Sequence, residues 1–217
     1  MEDLTRLSVD EFLNQTAART PTPGGGAVAA LAASLACAQA RMVAAYSINK
    51  ATSHEDRAAI DRLGEQLYRA DLLLRAMISR DAAAYEAMTA AAKAARAAGA
   101  GDASTKAAHQ KAVLDAAGVP VQIAALAANV LAILDAFKAL SNRHLVSDLG
   151  IAAVLAESAA RCARWTIAVN APQIDDQALR DKILTEGERT ELHCEGRLAS
   201  IEAYVAARLQ ESAAPSR

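Results

Sequence analysis

Residues Thr20-Pro21-Thr22-Pro23-Gly24-Gly25-Gly26 open directly onto an apolar run that lasts to Ile48. The two prolines prevent a preceding helix from passing through them. The three glycines allow backbone conformations and close approaches denied to other residues. Residues 27–48 have the length and composition of one long helix, so the glycines fall where its first free N–H groups point outward. A helix start of this kind favours a carboxylate or phosphate. Gly24, Gly25 and Gly26 are therefore candidate binding residues as well as a turn.

Hydrophobic residues make up 53% of the chain but aromatics only 3%, and alanine fills much of the difference. Small side chains let helices approach closely, yet each buries little area. A fold made this way needs long helices or a second copy of itself, so a homodimer is expected. The 217 residues show no internal repeat and no linker, which predicts a single domain over 1–217.

A net charge of −2, without a basic stripe interleaved with aromatics, argues against a nucleic-acid binder. Gln39 and Arg41 interrupt the 27–48 run, which is rich in alanine rather than leucine, so no membrane span is expected. The start, MEDLTRLSVDEF, lacks the basic-then-apolar order of a signal peptide. Cys37, Cys162 and Cys194 are odd in number and far apart, and the four histidines show no ligand spacing. These features predict a cytoplasmic protein with no metal, no cofactor, and neither nucleic acid nor membrane as a partner.

Along the chain, Ser8 and Glu11 form a capping box for a first helix over 8–19. After the proline–glycine segment and the apolar helix, a polar break at 52–56 starts a third helix that runs to about Ala98. Gly99-Ala100-Gly101-Asp102 is the next break. Gly118-Val119-Pro120 is expected to stop or kink the helix that follows, with 121–140 as a further helix. Ser141-Asn142-Arg143-His144 reads as a loop. Ser147 or Asp148 opens a helix to about Val169, and Asn170-Ala171-Pro172 ends it. A more charged helix over 175–209 and a loose tail complete the chain. No run alternates in the manner of a strand, so the expected fold is all-α, an up-and-down bundle of long alanine-rich helices.

Several polar residues stand out against this pattern. Asp81 lies on the apolar stripe of the third helix seven residues after Leu74, with Tyr85 one turn further on. A carboxylate there is either paired, for example with Arg80, or placed in a cleft, because burying it unpaired is costly. Asp148 at a helix start is either a cap or a catalytic carboxylate. Asn142 is either a turn former or an amide donor to the same cleft. Asn170 is a helix-ending residue or a second amide, and Lys50 a cation at a helix end or a ligand-binding group.

The ordered set of motifs resembles one family. Pro21-Thr22-Pro23-Gly24-Gly25-Gly26 and the alanine-rich helix ending near Asn49-Lys50 are similar to the C-terminal domain family of formiminotransferase-cyclodeaminase, which also includes bacterial methenyltetrahydrofolate cyclohydrolases. Asp81-Ala-Ala-Ala-Tyr85 resembles its Asp-x-x-Ala-Phe/Tyr segment, and Val119-Pro120 its proline-marked helix start. Residues 142–170, with Val146-Ser147-Asp148-Leu149-Gly150 and Val169-Asn170, resemble its Asn-x-x-x-x-Ser-Asp-x-Gly stretch and closing Val/Ile-Asn. The chain departs from the pattern at Ser141-Asn142-Arg143-His144 and at Ala51, where the family often has a second lysine.

The resemblance implies a helical dimer acting on a tetrahydrofolate one-carbon derivative, most simply hydrolysis of methenyltetrahydrofolate, with formiminotetrahydrofolate cyclodeamination or another ring-opening or ring-closing reaction of a diverged relative as the alternatives. A helical folate-binding or scaffold protein is the non-enzymatic alternative. The resemblance further implies Asp81 and Asp148 as catalytic carboxylates. Gly24, Gly25, Gly26, Lys50, Tyr85, Asn142 and Asn170 would be the substrate-binding set.

Overall fold

Helix caps set the frame. The computed structural model describes residues 3–99 and 102–213. Ser8 Oγ accepts from the Glu11 N–H while the Glu11 carboxylate accepts from the Ser8 N–H, which starts α1 (Val9–Ala17) as the capping box predicts. The proline–glycine segment follows and α2 (Gly25–Ser47) begins within it. Ser53 caps α3 (His54–Ala98), and Asp102 caps α4 (Ala103–Phe137). The break expected at 99–102 is seen at Gly99 and Asp102, with residues 100 and 101 outside the described residues. Two short 3₁₀ turns lead into α5 (Val146–Asn170), a third ends it, and α6 (Gln177–Ala213) closes the described chain. The fold is all-α, with no strand among the described residues.

The short connections make α2 to α6 alternate in direction. Helices α2 and α5 lie side by side, and α4 packs behind them between α3 and α6. The α2–α5 contact is built on alanine. Ala33, Ala36 and Ala40 of α2 and Ala152, Ala153 and Ala156 of α5 are all fully buried, so the two backbones come close. Larger side chains fill the space behind them: Leu67 and Leu74 from α3, Leu131, Leu134 and Phe137 from α4. This division of labour explains how a chain so poor in aromatics closes a core.

Two boundaries differ from the sequence expectation. The helix predicted to stop or kink at Pro120 continues as α4, with Pro120 buried inside it. Pro120 has no N–H to give the Ala116 carbonyl four residues back. The Asn170 side-chain amide lies 3.4 Å from that oxygen and supplies the missing donor. The last helix also extends to Ala213 rather than ending near Leu209; residues 214–217 of the predicted loose tail lie outside the described residues. Among the described residues two helical stretches, not one, are long and apolar enough to cross a membrane: Gly25–Ser47 and Ala103–Leu140. In each, 56% of the most apolar window is buried inside the bundle.

Candidate active site

The start of α2 is met by a carboxylate from its neighbour. Asp81, on α3, accepts a hydrogen bond of 3.0 Å from the Ala27 N–H. This partner comes from another helix rather than from the cap position, and Gly26 leaves room for it. A Cβ on Gly26 would overlap the Asp81 carboxyl group, so a larger residue there would have to push the carboxyl group aside. A Cβ on Gly24 would stand 4.0 Å from Asp81 Oδ2, and one on Gly25 3.8 Å from Thr166 Oγ1. The anion at this helix N-terminus is therefore the protein's own Asp81.

Around this contact lies a cavity of about 230 Å³. Gly24, Gly25, Gly26, Asp81, Tyr85 and Asn170 line it, bringing six of the sequence-predicted residues into one place. Pro21, Thr22, Met88, Ala116 and Thr166 complete the lining and were not singled out from sequence. Thr166 had a signal, since it sits one turn before Asn170 on α5. Ala116 had none: it matters because its carbonyl, released by Pro120, is exposed to Asn170.

Asp81 differs from the other buried carboxylates. Asp71 is only 1% exposed but lies between Arg75 and Arg41 and also accepts from Ser34 Oγ. Glu157 is paired with Arg161. Among the described residues Asp81 has no cation partner, only the backbone N–H of Ala27. Burial pushes its carboxyl above the usual aspartate range, and the Ala27 hydrogen bond opposes this only in part. A half-buried carboxylate with raised proton affinity beside an open cavity has the properties of a proton-transfer group.

The remaining predicted residues gather at the opposite end of α2. Asn142 donates from Nδ2 to the Tyr46 carbonyl at 2.9 Å, accepts from the His144 N–H at 3.0 Å, and donates its own N–H to Ser47 Oγ at 2.8 Å. It closes the helix end whose carbonyls lack helical donors. Asp148 accepts from Gln39 Nε2 at 2.6 Å. Gln39 is thirteen residues beyond Gly26 on α2, or about 20 Å along the axis. Lys50 is exposed in the turn after α2. Within one chain these three do not reach the Asp81 cavity.

Cys37 and Cys194 are buried free thiols, the first pushed up to about 12 by burial and the nearby Asp71, the second to about 11 chiefly by burial. Neither is placed to act as a nucleophile. Among the described residues no group of three His, Cys, Asp or Glu side chains is arranged to hold a metal ion.

Comparison with known proteins sets this geometry in a family. Residues 8–189 match the family described as formiminotransferase-cyclodeaminase, a span that includes the glycine segment, Asp81 and Asn170. The chain belongs to the formiminotransferase-cyclodeaminase family. Within that family it is 28% identical to a methenyltetrahydrofolate cyclohydrolase of Methylorubrum extorquens over 181 residues, covering 83% of this chain and 87% of the relative. It is 25% identical to the formimidoyltransferase-cyclodeaminase of Rattus norvegicus over 83% of this chain. That alignment spans only 34% of the rat protein. The crystal structure of formiminotetrahydrofolate cyclodeaminase from Thermotoga maritima superposes with a TM-score of 0.86 at 28% identity, covering 95% of this chain and 99% of the other.

Proposed function

We propose that the chain hydrolyses methenyltetrahydrofolate to formyltetrahydrofolate in the Asp81 cavity. The observation that carries the proposal is a half-buried carboxylate without a cation partner, held against a glycine-bound helix start beside open space. The substrate's one-carbon bridge is a cation, and an anionic Asp81 offsets that charge in a partly desolvated site. A water oxygen bonds to the bridging carbon and its proton passes to the Asp81 carboxylate. As the adduct opens, Asp81 returns a proton to the departing ring nitrogen and the adduct's hydroxyl proton leaves to solvent. One proton is released per turnover. Tyr85 supplies an aromatic face, the Ala116 carbonyl and the Asn170 amide supply polar contacts to the pterin, and the reaction uses no cofactor.

The structural likeness to the Thermotoga cyclodeaminase supports a second reading on the same site. There the substrate's own nitrogen attacks a formimino carbon, and Asp81 protonates departing ammonia. The two readings separate in one experiment. Mixing the protein with methenyltetrahydrofolate should accelerate loss of the near-ultraviolet absorbance over buffer. No acceleration removes the cyclohydrolase reading, and ammonia release from formiminotetrahydrofolate then tests the other.

We infer further that the protein works in the cytoplasm as a homodimer. Helix α2 leaves Val28, Leu35 and Tyr46 uncovered and α5 leaves Ile151, Trp165 and Val169 uncovered, at spacings that keep each set on one helix face. A second copy would cover both stripes. Packed antiparallel, it would carry the Asp148 end of one chain toward the glycine end of the other and so allow Asp148 to serve the site. Sedimentation of wild type against Trp165→Glu tests the contact: a wild-type monomer sinks it.

A further inference from the structure

Pro120 stands where a helix least accommodates a proline, buried in the middle of α4. Nothing local calls for it there. Helix α4 runs unbroken from Ala103 to Phe137, and the neighbours Val119, Ile123 and Ala124 pack as ordinary core residues. What the ring changes is the carbonyl one turn earlier. Residue 120 is the helical donor for the Ala116 oxygen, and a proline has no N–H to give. The Asn170 amide that stands in for it lies at 3.4 Å, which is long for a hydrogen bond. On the same turn the Gly118 carbonyl receives Gln122 Nε2 at 3.0 Å. A carbonyl oxygen has two lone pairs, so Ala116 keeps accepting capacity that an interior helical carbonyl lacks.

That capacity sits at the far end of the site from the carboxylate. Ala116 and Met88 belong to one buried cluster, and both line the Asp81 cavity. Met88 follows Asp81 by seven residues on α3, about 10 Å along the axis. Asn170 adds a second acceptor beside the first. Its Nδ2 faces the Ala116 oxygen, and its Oδ1 has no donor among the described residues. Two oxygens held side by side fit a ligand that offers two adjacent N–H donors.

We propose that Pro120 is a specificity-determining residue: by withholding an N–H it keeps the Ala116 carbonyl free, alongside Asn170 Oδ1, to accept from the 2-amino and N3–H groups of the pterin. The inference rests on the folate reading above and deepens it. A pterin carries this donor pair at the end of its bicyclic ring farthest from the one-carbon bridge. Seated at Ala116, it directs the bridge toward Asp81. A ligand without the amino group leaves the buried carbonyl unmet, and a site that pairs buried polar groups rejects such a ligand strongly.

The test is calorimetric titration of the full chain with 5-formyltetrahydrofolate and with its 2-desamino-2-methyl analogue, which keeps N3–H and loses the amino donor. Wild type should bind the parent at least about tenfold more tightly than the analogue. Pro120→Ala gives residue 120 an N–H, which pairs the Ala116 carbonyl within the helix. The variant should melt at or above the wild-type temperature, because alanine is the better helix former. It should nevertheless bind the two ligands within about threefold of each other. Pro120→Ser, which also carries an N–H, should show the same narrowing. Gln122→Ala removes the side-chain donor to Gly118 and should keep the wild-type ratio. Equal affinity of wild type for the two ligands overturns the assignment and leaves the folate reading standing. So does a pair of Pro120 variants that weaken both ligands in the same proportion, or neither. Wild type that binds neither ligand overturns both.

Discussion

The two ends of α2 are closed by the same rule with different consequences. At the N-terminus the free N–H of Ala27 is met by the carboxylate of Asp81, fifty-four residues away. At the C-terminus the free carbonyl of Tyr46 is met by the amide of Asn142, ninety-six residues away. These two orphan groups of the helix thus each find a long-range side-chain partner of the right polarity. The C-terminal cap is saturated, since Asn142 uses its Nδ2, its Oδ1 and its backbone N–H in three bonds. The N-terminal cap is not. Asp81 has one hydrogen bond, no cation and a cavity beside it, and its acidity is weakened accordingly. A filled cap holds the fold together; a half-filled one keeps capacity for chemistry.

Substitutions at the two ends should break this contrast in different ways. The largest effect is expected for Asp81→Asn, which removes the proton acceptor but keeps an oxygen for the Ala27 N–H. Turnover should fall by about 10²–10⁴ in steady-state assays while thermal melting stays at or above wild type. Gly26→Ala comes next. Alanine is the better helix former, so a neutral site would gain stability. Here the new Cβ displaces the Asp81 carboxylate, so stability should drop by about 1–3 kcal/mol in denaturant titration and turnover by about tenfold or more. Asn142→Ala should invert that profile, losing about 1–3 kcal/mol of stability with a smaller change in turnover.

Asp148→Asn should be milder than either aspartate or glycine change at the other end, because an amide still accepts from Gln39. A change within about tenfold places the chemistry at Asp81 alone, and a loss near that of Asp81→Asn shows a site shared between two copies. The smallest effect is a dependence on pH. Asp81 binds its proton more tightly folded than unfolded, so as pH rises past the ordinary 3.8 the unfolded chain ionises first and stability falls. That loss is complete above the raised folded-state value. Asp81→Asn removes it, so the melting advantage of the variant should be present at neutral pH and vanish below the ordinary value. On the same sign, the acid limb of the rate profile should lie above the usual aspartate range.

Local chemistry made much of this legible in the sequence. Ser8 with Glu11 marks a helix start through contacts three residues long, and that cap forms; the polar breaks at 52–56 and 99–102 also begin helices, capped by Ser53 and Asp102. Asp81 was conspicuous because a carboxylate interrupts an apolar stripe. Its neighbours in space were harder to see. Pro120 reads as a break because its defect is local, while the remedy at Asn170 is fifty residues distant. Asn142 and Asp148 look like site residues beside Asn170, yet they belong to the far end of α2, bonded to Tyr46 and Gln39.

What the sequence determined by itself was therefore the set of helices, the alanine faces that pack them, and the glycines where the chain must come close to something. Those follow from backbone sterics and from periodic patterns a few residues long. The tertiary structure decided what the glycines come close to, which proline a helix can absorb, and which polar residues share a cavity. Those outcomes depend on hydrogen-bond partners fifty to a hundred residues apart, and only the packed bundle brings such partners within bonding distance.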